Sequence, residues 1–252
     1  MSVTIVTGAS RGLGLAICQL ILKKDSEAKV VAVARSGDQL SDLAAKFAPR
    51  VLSIAGDVTD SSVVKQTVEK TIAKFGRIDS VVLNAGLLDP VGHIAELNVD
   101  HVRRLYEVNL FSVIDLVAQT LPYVRETGGN FLFVSSGASI KPVDGWSAYG
   151  SSKAALNLFC ASVSEEEPKV RTISLAPGTV DTAMQQDIRE KFKSGMKPEA
   201  HKRFTDLHKR QELLPPDVPG TLYANLALQG IPQELSGKYF RYNDDKLTKY
   251  AA

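Results

Sequence analysis

The sequence has little that would staple or anchor it. Its two cysteines, Cys18 and Cys160, stand far apart with no CxxC pair, so neither a disulfide framework nor a zinc cluster is indicated. The four histidines show no HExxH spacing. No stretch approaches the roughly 18 apolar residues of a membrane span. An excess of one charge is also missing. Lys and Arg number 30 against 28 Asp and Glu, a formal +2, so no basic stripe for nucleic acid is expected. The chain opens on the apolar run Val3–Val6 with no basic leader, and Lys249-Tyr250-Ala251-Ala252 matches no organelle address. The expectation is a cytoplasmic protein with neither a nucleic-acid nor a membrane partner. No internal repeat or low-complexity tract is visible.

What is present reads as a globular protein: 252 residues, 44% hydrophobic and 23% charged. Residues 1–252 are expected to form one domain. Short β-branched runs (Val3–Val6, Lys29–Ala34, Val51–Ala55, Ser80–Leu83, Phe131–Ser135, Arg171–Ala176, Gly237–Arg241) predict strands. Between them, helix-period stretches fall at Leu13–Lys24, Gln39–Phe47, Ser62–Phe75, Asp100–Arg125, Ala148–Ser164 and Pro216–Gln229. Strand alternating with helix predicts an α/β fold, a Rossmann-like doubly wound parallel sheet of about seven strands with helices on both faces. Pro49 and Pro122 are expected to punctuate helix ends or loops. The polar stretch Asp181–Pro215 is the least regular, and residues 183–215 are expected to form a substrate loop.

The first strand runs into Thr7-Gly8-Ala9-Ser10-Arg11-Gly12-Leu13-Gly14. Glycines at such a turn let a phosphate approach backbone N–H groups, and the following helix offers the positive end of its dipole. The second strand ends at Arg35 and Ser36, where NAD-binding sheets carry an acid for the ribose 2′-hydroxyl. Two arginines, Arg11 and Arg35, with no acid suit a 2′-phosphate, which favours NADP(H) over NAD(H). Asp57, before Val58, is either an acceptor for an adenine amino group or an ordinary turn aspartate. Asn84-Ala85-Gly86 is a small-residue turn after the fourth strand, where backbone can approach a ribose.

At the fifth strand end stands Ser136, followed by Tyr149 and Lys153 four residues apart on one predicted helix face. A free phenol has a pKa near 10, and a nearby ammonium favours the phenolate. A shift of about 3 units corresponds to about 4 kcal/mol. Tyr149 is therefore expected to protonate a carbonyl oxygen, with Ser136 holding that oxygen by a hydrogen bond. Loop residues Leu87, Leu88, Ile140, Trp146, Met184, Phe192 and Met196 are candidates for an apolar substrate mouth, Trp146 foremost.

With these pieces together the chain resembles the short-chain dehydrogenases/reductases. The resemblance rests on Thr7 to Gly14, Asn84 to Gly86, Asn109 within Val108-Asn109-Leu110, Ser136, Tyr149 with Lys153, and Pro177 to Thr182. It implies Tyr149 as acid/base, Lys153 as its modulator and a ribose ligand, and Ser136 as the residue that positions the carbonyl. Asn109 would hold a water that relays protons to Lys153. Cofactor contacts are implied for Gly8, Ser10, Arg11, Gly12, Leu13, Gly14, Asp57, Val58, Asn84, Pro177, Gly178, Val180 and Thr182. Within the family, the tracts Phe133–Tyr149, Asp181–Glu190 and Arg241–Asp244 are most similar to the fungal benzil reductases, relatives of sepiapterin reductase. That group reduces one carbonyl of an aromatic 1,2-diketone with NADPH. The family also implies a homodimer through the fourth and fifth predicted helices, with a tetramer as the alternative. Oxidation of a secondary alcohol and sepiapterin-like reduction are competing enzyme readings. A nucleotide sensor without turnover is a third class, which loss of Tyr149 or Lys153 would have favoured; both are present.

Overall fold

A computed structural model describes residues 1–252. The β-branched runs form β1 (Val3–Thr7), β2 (Lys29–Ala34), β3 (Val51–Ala55), β4 (Ser80–Leu83), β5 (Asn130–Val134), β6 (Arg171–Ala176) and β7 (Lys238–Arg241). They make one sheet in the order β3-β2-β1-β4-β5-β6-β7, and every neighbouring pair is parallel. Parallel neighbours require crossovers. These contain α1 (Gly12–Lys24), α2 (Gly37–Lys46), α3 (Ser61–Phe75), α4 (Val99–Tyr106), α5 (Ser112–Thr127), α6 (Ser147–Glu166), α7 (Ala183–Glu190), α8 (Pro198–Lys209) and α9 (Asp217–Gln229). The fold is the single-domain, doubly wound α/β sheet that the alternation predicts.

The two-residue period of each strand divides the core. Val31, Val33, Phe131 and Phe133 point to the face covered by α3, α5 and α6. Val30, Ala32, Leu132 and Val134 point to the opposite face, covered by α1, α2 and α9. On that second face Tyr223 is fully buried, and its hydroxyl donates to the Leu175 carbonyl at 2.7 Å. Chain order reverses between β1 and β4, so the loops leaving their carboxyl ends diverge and open a crevice there.

Three expectations need correction. The predicted helix Asp100–Arg125 is interrupted by a π turn at Glu107–Phe111, which separates α4 from α5. Asn109 lies in that turn and spends its side chain on the Leu87 backbone. Pro122 sits inside α5, not at its end. It is tolerated because Pro122 and Ala118, whose carbonyl loses its partner, both lie on the exposed side, where water serves. The stretch 181–215 is not a bare loop: it folds into α7 and α8. Each of these helices buries one large apolar side chain, Ile188 and Phe204, which leaves little periodic signal in the sequence.

Tyr223→Phe removes a buried donor, while Leu175 keeps a second bond from the Ser135 N–H at 2.8 Å. The expected result is a loss of about 1 kcal/mol, read as a lower urea midpoint with an unchanged slope.

Candidate active site

The glycine loop after β1 is shaped by close approach. Gly8 has φ +65°, and a Cβ on Gly14 would stand 2.3 Å from the Gly8 carbonyl oxygen, so neither position accepts a side chain. Thr7 and Asn84 brace the loop. Thr7 Oγ1 accepts from the backbone N–H of Asn84 and of Ala85, each at 3.0 Å. Asn84 Nδ2 donates to the Thr7 carbonyl at 2.8 Å. The first turn of α1 has no side-chain cap, which leaves its N–H groups open to an anion. Arg11 and Arg35 are exposed, and the arginine ion pairs of the chain belong to Arg77, Arg103, Arg104 and Arg125 instead. Every residue expected to touch the cofactor lines one cleft of about 770 Å³. It runs from Gly8, Ser10, Arg11, Gly12, Leu13, Gly14, Arg35 and Ser36, past Asp57, Val58, Asn84, Ala85 and Gly86, to Tyr149, Lys153, Pro177, Gly178, Val180 and Thr182.

Asp57 behaves first as a turn aspartate. Its Oδ1 accepts from the Thr59 N–H at 3.0 Å and the Thr59 hydroxyl at 2.8 Å, and its Oδ2 pairs with Arg104 at 2.7 Å. Burial opposes its ionisation, but these hydrogen bonds and the guanidinium together hold its carboxyl below the usual range. Arg104 lines the same cleft from α4 and escaped sequence reasoning, because no local motif marks it.

At the other end of the cleft, Ser136, Tyr149 and Lys153 come together. Ser136 Oγ accepts from the Ala138 N–H at 3.1 Å, which leaves the serine proton free to be donated. The Tyr149 phenol and the Ser136 side chain line the same end of the cleft. Lys153 donates to the Val134 carbonyl at 2.8 Å, and its Nζ stands 5.9 Å from the Tyr149 ring centre. The expected electrostatics need correction here. Burial dominates both groups: it pushes Tyr149 up, with the nearby Ser136 hydroxyl pulling it back, and pushes Lys153 down to about 8. Asn109 lies outside the cleft lining. Its Oδ1 accepts from the Leu87 N–H at 2.7 Å, and its Nδ2 donates to the Leu87 carbonyl at 2.9 Å and to Ser152 Oγ at 3.1 Å.

A match to the short chain dehydrogenase family spans residues 2–193. The chain belongs to the short-chain dehydrogenase family. It is 48% identical, over 97% of each chain, to a benzil reductase ((S)-benzoin forming) of Saccharomyces cerevisiae. The crystallised KRED1-Pglu enzyme is 62% identical, with a TM-score of 0.95 over 95% of this chain and 100% of that one. An alcohol dehydrogenase from the archaeon Thermococcus sibiricus, complexed with 5-hydroxy-NADP, is 28% identical with a TM-score of 0.78, covering 96% of this chain and 95% of that one. The chain is thus an oxidoreductase of this family.

In this short-chain dehydrogenase, the candidate substrate residues divide. Leu87 and Met184 line the cleft with Ser136. Ile140 does not; it is 64% exposed. Trp146 does not either, although it was the foremost candidate. Its ring stacks on Phe204 of α8 at 5.2 Å and meets Tyr149 edge-on at 5.7 Å. Leu88, Trp146 and Met196 are buried with Ile188 and Phe204 in a small apolar cluster, and Phe192 packs against it. The cluster packs α7, whose first turn lines the cleft, against α8.

Two further contacts pin these helices, and sequence reasoning missed both because they join distant loops. Asp144, in the turn after β5, accepts from the Lys197 N–H at 2.5 Å and pairs with His93 at 3.3 Å. Beside it, backbones pack without side chains: a Cβ on Gly195 would stand 2.2 Å from the Val91 carbonyl oxygen, and one on Gly145 the same distance from that of Gly195. The Lys197 N–H bond holds Asp144 below the usual carboxylate range, with His93 assisting. A carboxylate with a lowered folded-state pKa stabilises above its unfolded value, so the clamp is complete at neutral pH and loosens as acid protonates it. Asp144→Ala is expected to raise KM for a bulky ketone severalfold while leaving nicotinamide cofactor affinity unchanged, as measured by steady-state kinetics beside fluorescence titration.

Proposed function

We propose that the protein is an NADPH-dependent carbonyl reductase acting on aromatic or hydrophobic 1,2-diketones, of the benzil to (S)-benzoin type. One observation carries the reading: unpaired Arg11 and Arg35 close one end of the cleft whose other end holds Ser136, Tyr149 and Lys153. Two free guanidinium groups with no carboxylate at the end of β2 fit a 2′-phosphate. The NADP-type ligand of the archaeal relative supports the cofactor, and the likeness to the yeast benzil reductase supports the substrate class.

When bound, NADPH supplies the hydride for the carbonyl carbon. The Gly8–Gly14 loop and the amino end of α1 would hold its pyrophosphate, Lys153 and Asn84 its nicotinamide-side ribose, and Val180 and Thr182 its carboxamide. Ser136 donates a hydrogen bond to the substrate oxygen. Tyr149 gives that oxygen its phenolic proton as negative charge develops. Lys153 would return the tyrosine's proton from solvent. Leu87 and Met184 give the reacting carbonyl apolar walls. We also propose a homodimer through α5 and α6. Phe111, next to α5, is 50% exposed and Leu158 on α6 is 71% exposed, large apolar side chains left in water by the single chain.

Loss of reduced-nicotinamide absorbance with benzil tests the enzyme reading. NADPH should be consumed much faster than NADH, and Tyr149→Phe should lower kcat by about 100-fold or more. Arg11→Ala and Arg35→Ala should each raise KM for NADPH by about tenfold and leave NADH nearly unaffected. Preference for NADH would overturn the cofactor reading; NADPH binding without turnover of any ketone would favour a sensor. Light scattering should give twice the 27.2 kDa chain mass, and Leu158→Glu should halve it.

A further inference from the structure

Tyr149, Lys153 and Asn157 recur at four-residue intervals and so share one face of α6. The first two belong to the proposed reaction. The third is a link in a directed chain of hydrogen bonds that runs from Ser135 to the backbone of Ser136. Ser135 Oγ donates to Asn157 Oδ1 at 2.6 Å. Asn157 Nδ2 donates to Ser139 Oγ at 2.8 Å. Ser139 Oγ donates to the Ser136 carbonyl at 2.6 Å, which also accepts from the Ser139 N–H at 3.1 Å. A hydroxyl has one proton. Ser139 spends it on Ser136 and therefore needs a donor behind it, which the Asn157 amide provides. The chain closes the tight turn Gly137–Ser139 and seats it on α6.

We infer that Asn157 is a positioning residue for carbonyl reduction, holding this turn in the conformation that aims the Ser136 hydroxyl at Tyr149 and the substrate oxygen. The inference rests on the reading of Ser136 and Tyr149 as the reacting pair. Tyr239 of β7 adds a weaker bond to the same Ser136 carbonyl, at 3.4 Å. Without Asn157, Ser139 is free to turn its proton elsewhere, and the turn loses its tie to the helix that carries Tyr149. The Ser136 hydroxyl favours the ionised phenol, so a misaimed Ser136 leaves Tyr149 protonated to higher pH. The other titratable groups near this corner are Lys153 from α6, Tyr223 from α9, and Tyr239 and Arg241 from β7; all are retained in the variants below.

The test compares Asn157→Ala, Ser139→Ala, their double variant and Tyr149→Phe with the intact enzyme, using NADPH and benzil. Both single variants should lower kcat about tenfold, and the double should be little worse than either, because both cut one chain. The alkaline limb of kcat/KM should move to higher pH, and NADPH affinity should stay unchanged. Asn225→Ala, which removes buried bonds to Tyr250 and Ala252 far from this turn, should lower the melting temperature without moving kcat or the limb. A wild-type kcat and limb in Asn157→Ala, beside an inactive Tyr149→Phe, overturns this inference alone. An active Tyr149→Phe overturns the functional reading and this inference with it. Should Asn157→Ala fail to fold, Ser139→Ala decides in the same way, since it leaves α6 untouched.

Discussion

Helix α6 can settle against the turn that follows β5 only because residue 150 is a glycine. The Ala138 carbonyl oxygen lies where a Cβ would meet it at 2.8 Å, so a side chain would push helix and turn apart. That approach sets the register of the chemical end. With it, one helix face lays Tyr149 beside Ser136, Lys153 against the Val134 carbonyl, and Asn157 between Ser135 and Ser139. The last turn of β5 and its two following residues are thus gripped at three successive points. A displacement of 1 Å here would misplace the proton donor, and misplacements of that size cost enzymes heavily in rate.

The sheet was legible because buried parallel strands are near-continuous apolar runs separated by helix-length crossovers. Its carboxyl edge was legible for a topological reason. Parallel strands all point one way, so the motifs after β1, β2, β3, β4, β5 and β6 gather at one edge whatever their order. Hence Gly8, Arg35, Asp57, Asn84, Ser136 and Pro177 line a single cleft although each was read alone. The Tyr149–Lys153 spacing carried its own geometry. Arg104, Asp144 and Asn157 were different: each acts on residues 18 to 53 positions away, and no spacing rule links such positions. Trp146 misled because proximity in sequence to Tyr149 suggested the mouth, while its large apolar ring found more contact against α8.

Electrostatics at the chemical end followed burial more than charge pairing. Lys153 was expected to act on Tyr149 through its ammonium, which also donates to the Val134 carbonyl while its Nζ stands 5.9 Å from the Tyr149 ring centre. Burial disfavours the charged form of both groups, so an oxygen that gains negative charge here is poorly solvated except by aimed donors. This places weight on the direction of the Ser136 hydroxyl, which counters the burial that raises the phenol.

The two halves of the cleft are built by different means, and that difference bears on what each can vary. The cofactor half is made of strand ends, glycine contacts and backbone N–H groups; a Cβ at Gly8, Gly14, Gly56 or Gly178 would collide with a neighbouring side chain or the backbone. The substrate half is closed by α7 and α8, held by the Asp144 clamp, a backbone contact at Gly195 and a small cluster of apolar side chains. Most of those ties are side-chain interactions remote from the sheet, and Met184 reaches the cleft from a helix they hold. Substitutions on the inner face of α7 can therefore reshape the space over Tyr149 without touching the register of α6 on β5. The two halves meet at Trp146, which touches Tyr149 edge-on and stacks on Phe204, so changes on α7 leave the proton-transfer geometry intact only where they spare that contact.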